Sequence, residues 1–243
     1  TPIPQTPQRA KLKVKMPQSR WTLAARLNSL DPQDIPMSSD KLSALNWLIR
    51  QIVQQSLETG DLSLMRTFTS DQDLGEIERE MIRASVFWEA LRAGSWNVAS
   101  QFLSEDVVAP QDVNDWGPLH VCLSSLGNRP DVVQWLIAQG AEIERRGPSN
   151  ITPLIAAIQL DYDSVVRVLL ESGADPNAGT VIDENLTPLM AAARAGNGPV
   201  ISLLLSRGAD PACRDRFGNT AAQYAEASGH GSIAERLRRS DFA

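Results

Sequence analysis

The sequence predicts an all-α fold, a solenoid of stacked helix pairs joined by extended connectors, and three recurring landmarks predict it. The first is a helix start. Trp116-Gly117-Pro118-Leu119-His120, Ile151-Thr152-Pro153-Leu154 and Leu186-Thr187-Pro188-Leu189 carry prolines spaced 35 residues apart, and Asn219-Thr220-Ala221-Ala222 is a fourth copy. The second is a helix stop at Gly140, Gly173 and Gly208. The third is the apolar run between them: Asp131-Val132-Val133, Asp163-Ser164-Val165-Val166 and Pro199-Val200-Ile201. A lone helix pair cannot bury its own apolar face, so a register held over four copies means that neighbours stack.

Each landmark has a local cause. A threonine hydroxyl caps free N–H groups at a helix start, and proline at the first helical position needs no N–H partner. Alanines in the short first helix let it lie close to its neighbours, and a polar turn leads to a second helix with apolar residues at helical spacing. Glycine then ends that helix in the left-handed conformation. Repeat one carries two extra residues in its inter-helix turn, around Leu126–Pro130, and the connector before Thr187 carries two extra in Thr180–Asp183.

The chain is divided here into a basic arm at 1–20, a helical extension at 21–83 and a solenoid at 84–243. The arm holds Arg9, Lys11, Lys13, Lys15 and Arg20 with no acid, starts with Pro2, Pro4 and Pro7, and alternates like a strand over Lys11–Met16. It reads as a solvated terminus, a tether following a removed leader or anchor, an edge strand against a partner, or a segment drawn to an anionic surface. A helix is expected at Arg20–Ser29. Upstream of the clear repeats, Phe87, Ala90, Leu91, Gly94, Val98, Phe102 and Leu103 occupy the repeat frame in degenerate form, and Val53, Leu57, Gly60, Leu64, Met65 and Phe68 echo it again. The last copy places Arg236 on a leucine position, followed by Arg238 and Arg239, as expected where a solenoid faces water at its end.

These landmarks resemble the ankyrin-repeat family, whose Thr-Pro-Leu-His signature they carry over about residues 116–240. The resemblance implies a binding module without catalysis or cofactor. It implies that His120 bonds to the backbone of the neighbouring connector and that His230 belongs to a Gly-His turn. It also implies that partners are recognised by the connector tips and the short first helices on the concave side. Aligned copies place Trp116, Ile151, Leu186 and Asn219 in one column, Asn114, Ser149, Glu184 and Phe217 in a second, and Gln159-Leu160 and Arg194-Ala195 at the end of the first helix. The expected partner-binding residues are Trp116, Ile151, Leu186, Phe217 and Leu160, an apolar ridge, with Glu184, Asn114 and Arg194 beside it. The other reading of the same column is that each residue packs on the next connector.

Composition narrows the function further. The net charge of −6 with a pI near 5.0 argues against a nucleic-acid partner and suits a basic protein partner. Two cysteines form no disulfide framework and no zinc site, and no apolar stretch approaches the ~20 residues that span a bilayer. No nucleophile elbow, zincin pair or phosphate loop occurs. Clusters such as Glu76, Glu78 and Glu80, or Asp112 and Asp115, read as solvated faces, and Cys122 takes an alanine-like core position. The expected function is stoichiometric binding of another protein. An inhibitor, such as a bacterial immunity protein neutralising a toxic enzyme, is favoured over an adaptor or scaffold domain. An enzyme with its site in 21–83 is the reading from a different class. Chain and charge are compatible with the cytoplasm or with a bacterial periplasm after removal of a signal.

Overall fold

The computed structural model describes residues 50–56, 58, 59, 63, 66, 76–103, 117–147, 150–180 and 185–239, and the chain divides into two compact units, Thr1–Ile82 and Arg83–Ala243. In the first unit, described residues 50–56, 58, 59, 63 and 66 are helical, and Ile52, Val53 and Ser56 are buried. The arm at 1–20, the helix read at Arg20–Ser29, and Leu57, Gly60, Leu64, Met65 and Phe68 lie outside the described residues, as do Asp112 and Asp115.

The second unit begins inside helix α1 (Glu76–Arg92), which is followed by α2 (Trp96–Gln101). Four pairs come next: α3 (Pro118–Ser125) with α4 (Pro130–Ala138), α5 (Pro153–Gln159) with α6 (Asp163–Glu171), α7 (Pro188–Ala195) with α8 (Gly198–Ser206), and α9 (Ala221–Ala227) with α10 (Gly231–Arg239). Among the described residues there is no strand. The first helices form one layer, α3 on α5 on α7 on α9, and α4, α6 and α8 stack in a second layer behind them. No described helix is long and apolar enough to cross a membrane.

The helix starts follow the capping chemistry. Thr152 and Thr187 accept from the backbone N–H groups of Ile155 and Met190, each at 3.3 Å, and in the last copy the Gln223 side chain accepts from both the backbone N–H and the hydroxyl of Thr220. Repeat one departs, because Gly117 stands where the others have threonine and offers no side-chain cap. The stops are also as expected: Gly140, Gly173 and Gly208 have φ of +97°, +95° and +89°, which a side chain would strain.

Close packing of the inner layer rests on small residues. Cys122, Ala157, Ala192 and Ala225 occupy one repeat position and are fully buried. From that position the chain turns through a shared backbone pattern, in which the N–H groups of Tyr162, Asn197 and His230 donate to the carbonyls of Ala157, Ala192 and Ala225 at 2.9, 3.1 and 2.8 Å. Repeat one differs there, with Leu126 donating to Cys122 and Arg129 to Gly127, because its turn is longer. The upstream pair makes the common turn: Ser95 donates to fully buried Ala90 at 2.8 Å, with Gly94 left-handed at φ +72°. Phe87 and Trp96 pack on Trp135 with ring centroids 6.0 and 5.9 Å apart. Arg92 donates to the Ser125 carbonyl and Arg129 to the Arg92 carbonyl. From Arg83 on, α1 and α2 are therefore stacked on repeat one by these ring contacts and arginine-to-carbonyl bonds.

Both histidine rings lie against glycines of the repeat frame. His120 Nε2 lies 3.1 Å from the Ile151 carbonyl, which can only accept, so Nε2 carries the proton. Its ring lies so close to Gly147 that a Cβ there would sit 2.8 Å from it, and a Cβ on Gly196 would sit 2.5 Å from the His230 ring. Burial pushes the His120 pKa down, the Ile151 carbonyl opposes this, and the Arg145 charge adds to the lowering. Burial also drives the Cys122 thiol up to about 12, which leaves it inert as a nucleophile.

Candidate partner-binding surface

Each connector closes at its tip through one main-chain bond. Gly147 donates to Ile151 at 3.0 Å, Thr180 to Leu186 at 3.1 Å and Asp215 to Asn219 at 3.0 Å, the second spanning the two additional residues. The residue just before the acceptor is left-handed in all three: Asn150 at φ +56°, Asn185 at +52° and Gly218 at +86°. Asparagine and glycine tolerate that conformation best, so the tips repeat for a local reason.

Side chains then tie each connector to the next. At the base, Glu144 accepts from the Asp175 N–H at 2.9 Å, and Asn177 accepts from the Asp210 N–H at 2.8 Å while donating to the Gly208 carbonyl at 3.0 Å. At the tip, Arg146 Nη1 donates both to Asn150 within its own connector at 3.0 Å and to the Gly179 carbonyl of the next at 2.8 Å. Asn185 repeats the second step, donating to the Arg214 carbonyl at 3.4 Å. These bonds orient the connectors as one rigid edge beside the inner helices.

The expected site residues fall in different places along this edge. Trp116, Asn114 and Glu184 lie outside the described residues. Ile151 is half-buried, with its carbonyl taken by Gly147 and His120. Leu186 is only 5% exposed, which corrects the expectation that it belongs to an exposed ridge. Its main chain is clamped on both sides by Thr180, whose Oγ1 accepts from the Leu186 N–H at 2.9 Å, and its side chain faces the interior. Leu186 is thus buried and tied to its own connector, and no bond to the next connector is seen for it among the described residues.

Leu160 and Phe217 are exposed large hydrophobics, at 45% and 62%. Leu160 does not share a ridge with Ile151. Leu160 caps the C-terminal end of α5, whereas Ile151 precedes its N-terminus, so about nine residues of helical rise, roughly 13 Å, separate them. Arg194, exposed in the last turn of α7, occupies the repeat position of Gln159 and extends the Leu160 end of the surface. The surface therefore has two separate parts, the connector tips and the C-terminal ends of the inner helices.

Phe217 is held out by a network that repeat spacing alone does not reveal. Buried Asp215 accepts from the N–H groups of Phe217 at 2.8 Å and Asn219 at 2.7 Å, from Asn219 Nδ2 at 3.1 Å and from the Tyr224 hydroxyl at 2.8 Å. Burial acts to raise the Asp215 pKa, and the donors from Asn219, Tyr224 and Phe217 outweigh it and hold the carboxylate ionised. The Arg216 guanidinium lies 4.8 Å from the Phe217 ring centroid. The charge of the solenoid is also uneven: residues 117–180 carry four arginines and seven carboxylates, and residues 185–239 carry seven and four. With Asp183, Glu184 and Asp241 included, residues 181–243 carry seven arginines and seven carboxylates, so the C-terminal end is balanced and the acidic excess lies earlier in the chain. Among the described residues no group of three or more His, Cys, Asp and Glu side chains is arranged to hold a metal.

Models of the ankyrin repeat match residues 114–148 and 149–181, and a model of ankyrin repeats in three copies matches residues 178–242. Among curated proteins, the chain is similar to the ankyrin repeat and KH domain-containing protein of Caenorhabditis briggsae, at 39% identity over 59 residues. It is also similar to ankyrin repeat and KH domain-containing protein 1 of Homo sapiens and to the protein mask of Drosophila melanogaster, each at 41% over 59 residues. Each match covers 24% of this chain, and the chain spans about 2% of the length of these relatives.

Proposed function

We propose, from the premise that this chain belongs to the ankyrin-repeat family, that its protein–protein interaction module binds a partner stoichiometrically through the connector tips and the C-terminal ends of the inner helices. Ankyrin repeats are an interaction module, and the observation that carries the assignment of the surface is the rigid display of Phe217. Phe217 is 62% exposed, and the Asp215 carboxylate fixes the connector beneath it by accepting from the main-chain N–H groups of Phe217 and Asn219, from Asn219 Nδ2 and from the Tyr224 hydroxyl, so the backbone that carries the ring loses little freedom on binding. Ile151, Leu160 and Arg194 complete the proposed contact set within the described residues, and Trp116, Asn114 and Glu184 remain in it on their repeat positions in the sequence alone. Leu186 is no part of it.

In the finer reading the complex is inhibitory: a non-catalytic chain occludes its partner, such as a toxic enzyme neutralised by a bacterial immunity protein. A stiff, pre-ordered surface supports this reading, because occlusion needs a tight complex. The adaptor or scaffold reading competes with it on the same surface. Purification of the partner from native extract, followed by titration of any activity it has, separates them. A tight 1:1 complex that abolishes activity at equimolar ratio supports the inhibitor. Micromolar binding that leaves activity intact supports the adaptor, and binding that survives Phe217→Ala, Leu160→Ala and Arg194→Ala together removes the proposed surface.

A further inference from the structure

The turn between α5 and α6 departs from its equivalents. Turns of the same length elsewhere consist of a small residue, a left-handed glycine and a polar residue. They are Ala93-Gly94-Ser95, Ala195-Gly196-Asn197 and Ser228-Gly229-His230, with φ of +72°, +72° and +84° at the glycines. In the central repeat the three residues are Leu160-Asp161-Tyr162, and Asp161 takes the same left-handed conformation at φ +57°. Glycine adopts that conformation freely and aspartate only tolerates it, so the course of the turn gives no reason for the carboxylate. Packing gives none either. Leu160 is 45% exposed, Asp161 is exposed, and among the described residues the Asp161 carboxylate has no hydrogen bond or ion pair. The turn is nonetheless fixed from beneath: the N–H groups of Leu160, Asp161 and Tyr162 donate to the carbonyls of Ala156, Ile158 and Ala157 at 3.1, 3.2 and 2.9 Å. The Tyr162 hydroxyl lies over the preceding turn, where a Cβ on Gly127 would stand 3.7 Å from it, and Asp163 accepts from Asn197 Nδ2 of the following turn at 2.8 Å. Half-buried Leu126 ends α3 one layer away, on the same side of the inner helices.

We propose that Leu160 and Asp161 are the docking point for a segment of a protein partner in which an apolar side chain stands beside a lysine or arginine. Resting on the reading of the chain as a protein-binding module, the proposal names the partner chemistry at the C-terminal ends of the inner helices. The apolar side chain covers Leu160, and the cation pairs with the Asp161 carboxylate, with Asp163 two residues on adding a second negative charge. The local charges favour this sign. Arg129 in the preceding turn is already taken by Asp131, with contacts of 2.9 and 2.7 Å to its two carboxylate oxygens. Exposed Arg194, one layer on, is left to donate to a main-chain carbonyl of the segment. The wider surroundings agree, because residues 104–180 carry eleven carboxylates against four arginines and no lysine, which draws a cationic segment to this stretch.

The test is a random-peptide phage selection on the full chain, with counter-selection on the double variant Leu160→Ala, Asp161→Gly, which restores the pattern of the other turns. Enriched peptides with a lysine or arginine beside an apolar residue are expected, and their affinity, read by fluorescence anisotropy, should fall as salt rises. Leu160→Ala should weaken binding about thirtyfold. Asp161→Asn, which suits the left-handed turn and removes the charge, should weaken it roughly tenfold, while Gln134→Ala on the outer helix α4 leaves it unchanged. Thermal melting separates docking from a structural role. The double variant should melt close to the wild type, because glycine relieves the left-handed position, and a marked loss of Tm would assign both residues to the fold and overturn the proposal. Enrichment of acidic peptides, or of none that distinguish the wild type from the double variant, also overturns it. Peptides that bind both forms equally leave the binding-module reading in place. Self-association of the wild type that the double variant abolishes overturns the proposal in favour of a second copy. Failure to enrich any peptide, together with failure to recover any partner from native extract, removes both.

Discussion

Gly117→Thr should stabilise the protein, and the reason lies in a buried nitrogen. His120 donates from Nε2 to Ile151, so its Nδ1 must accept, yet Nδ1 is buried with no hydrogen-bond partner. In the last repeat the equivalent pair is joined, with Thr220 donating its hydroxyl to Gln223, and position 117 has no hydroxyl to offer. Gly117 has φ −60° and ψ 156°, an extended conformation that a β-branched residue adopts without strain. A threonine there would donate to Nδ1, relieving a desolvation cost of about 1–3 kcal/mol. Loss of glycine freedom in the unfolded chain adds about 0.4–1 kcal/mol. Opposing this, the new Cβ would come within 2.8 Å of the Arg145 side chain, which must move, at a cost of about 1–3 kcal/mol if it repacks poorly. The net expectation is about 1 kcal/mol, roughly 2–4 °C in Tm for a folded unit of this size. Gly117→Val is the control, because it displaces Arg145 equally and supplies no hydroxyl. Chemical denaturation of both variants isolates the hydroxyl, and a threonine variant no more stable than the valine variant refutes the reasoning.

Other expectations follow from the same geometry. Leu186→Ala should cost about 2–5 kcal/mol in denaturant unfolding, because it leaves a cavity behind a buried tip; a loss under 1 kcal/mol would return the residue to the exposed ridge. Gly196→Ala should destabilise markedly in thermal melts, since it strains a left-handed position and collides with the His230 ring; a neutral result would mean that the ring moves freely. Because His120 is held below its ordinary pKa near 6.5, the folded chain binds that proton less readily than the unfolded one. Its contribution to stability is therefore complete above 6.5, falls as pH drops below it, and levels off beneath the depressed folded value. His120→Gln should flatten that part of the pH–stability curve, and an unchanged slope would assign it to other groups. Arg146→Gln should cost about 1–3 kcal/mol through the lost Asn150 and Gly179 bonds, measured by the same unfolding assay.

The sequence by itself determined the repeat, its capping prolines and threonines, its stop glycines and the alanine-like place of Cys122. Those features obey rules that act within a few residues, so spacing exposes them. The turn at Ala90 and Gly94 follows the same local rules, whereas the boundary read between residues 83 and 84 falls inside the continuous helix α1. What the tertiary structure alone decided was direction and company. One repeat column holds half-buried Ile151 and buried Leu186, because the longer second connector folds Thr180 against Leu186. Leu160 and Phe217, close in an aligned list, fall on opposite ends of the inner layer because a helix turns sequence distance into length. Arg146 holds a register position that alignment could have flagged, but its role depends on which carbonyl lies on the next layer. Contacts between layers are made by residues about 30 positions apart, and local physical rules carry no information about them.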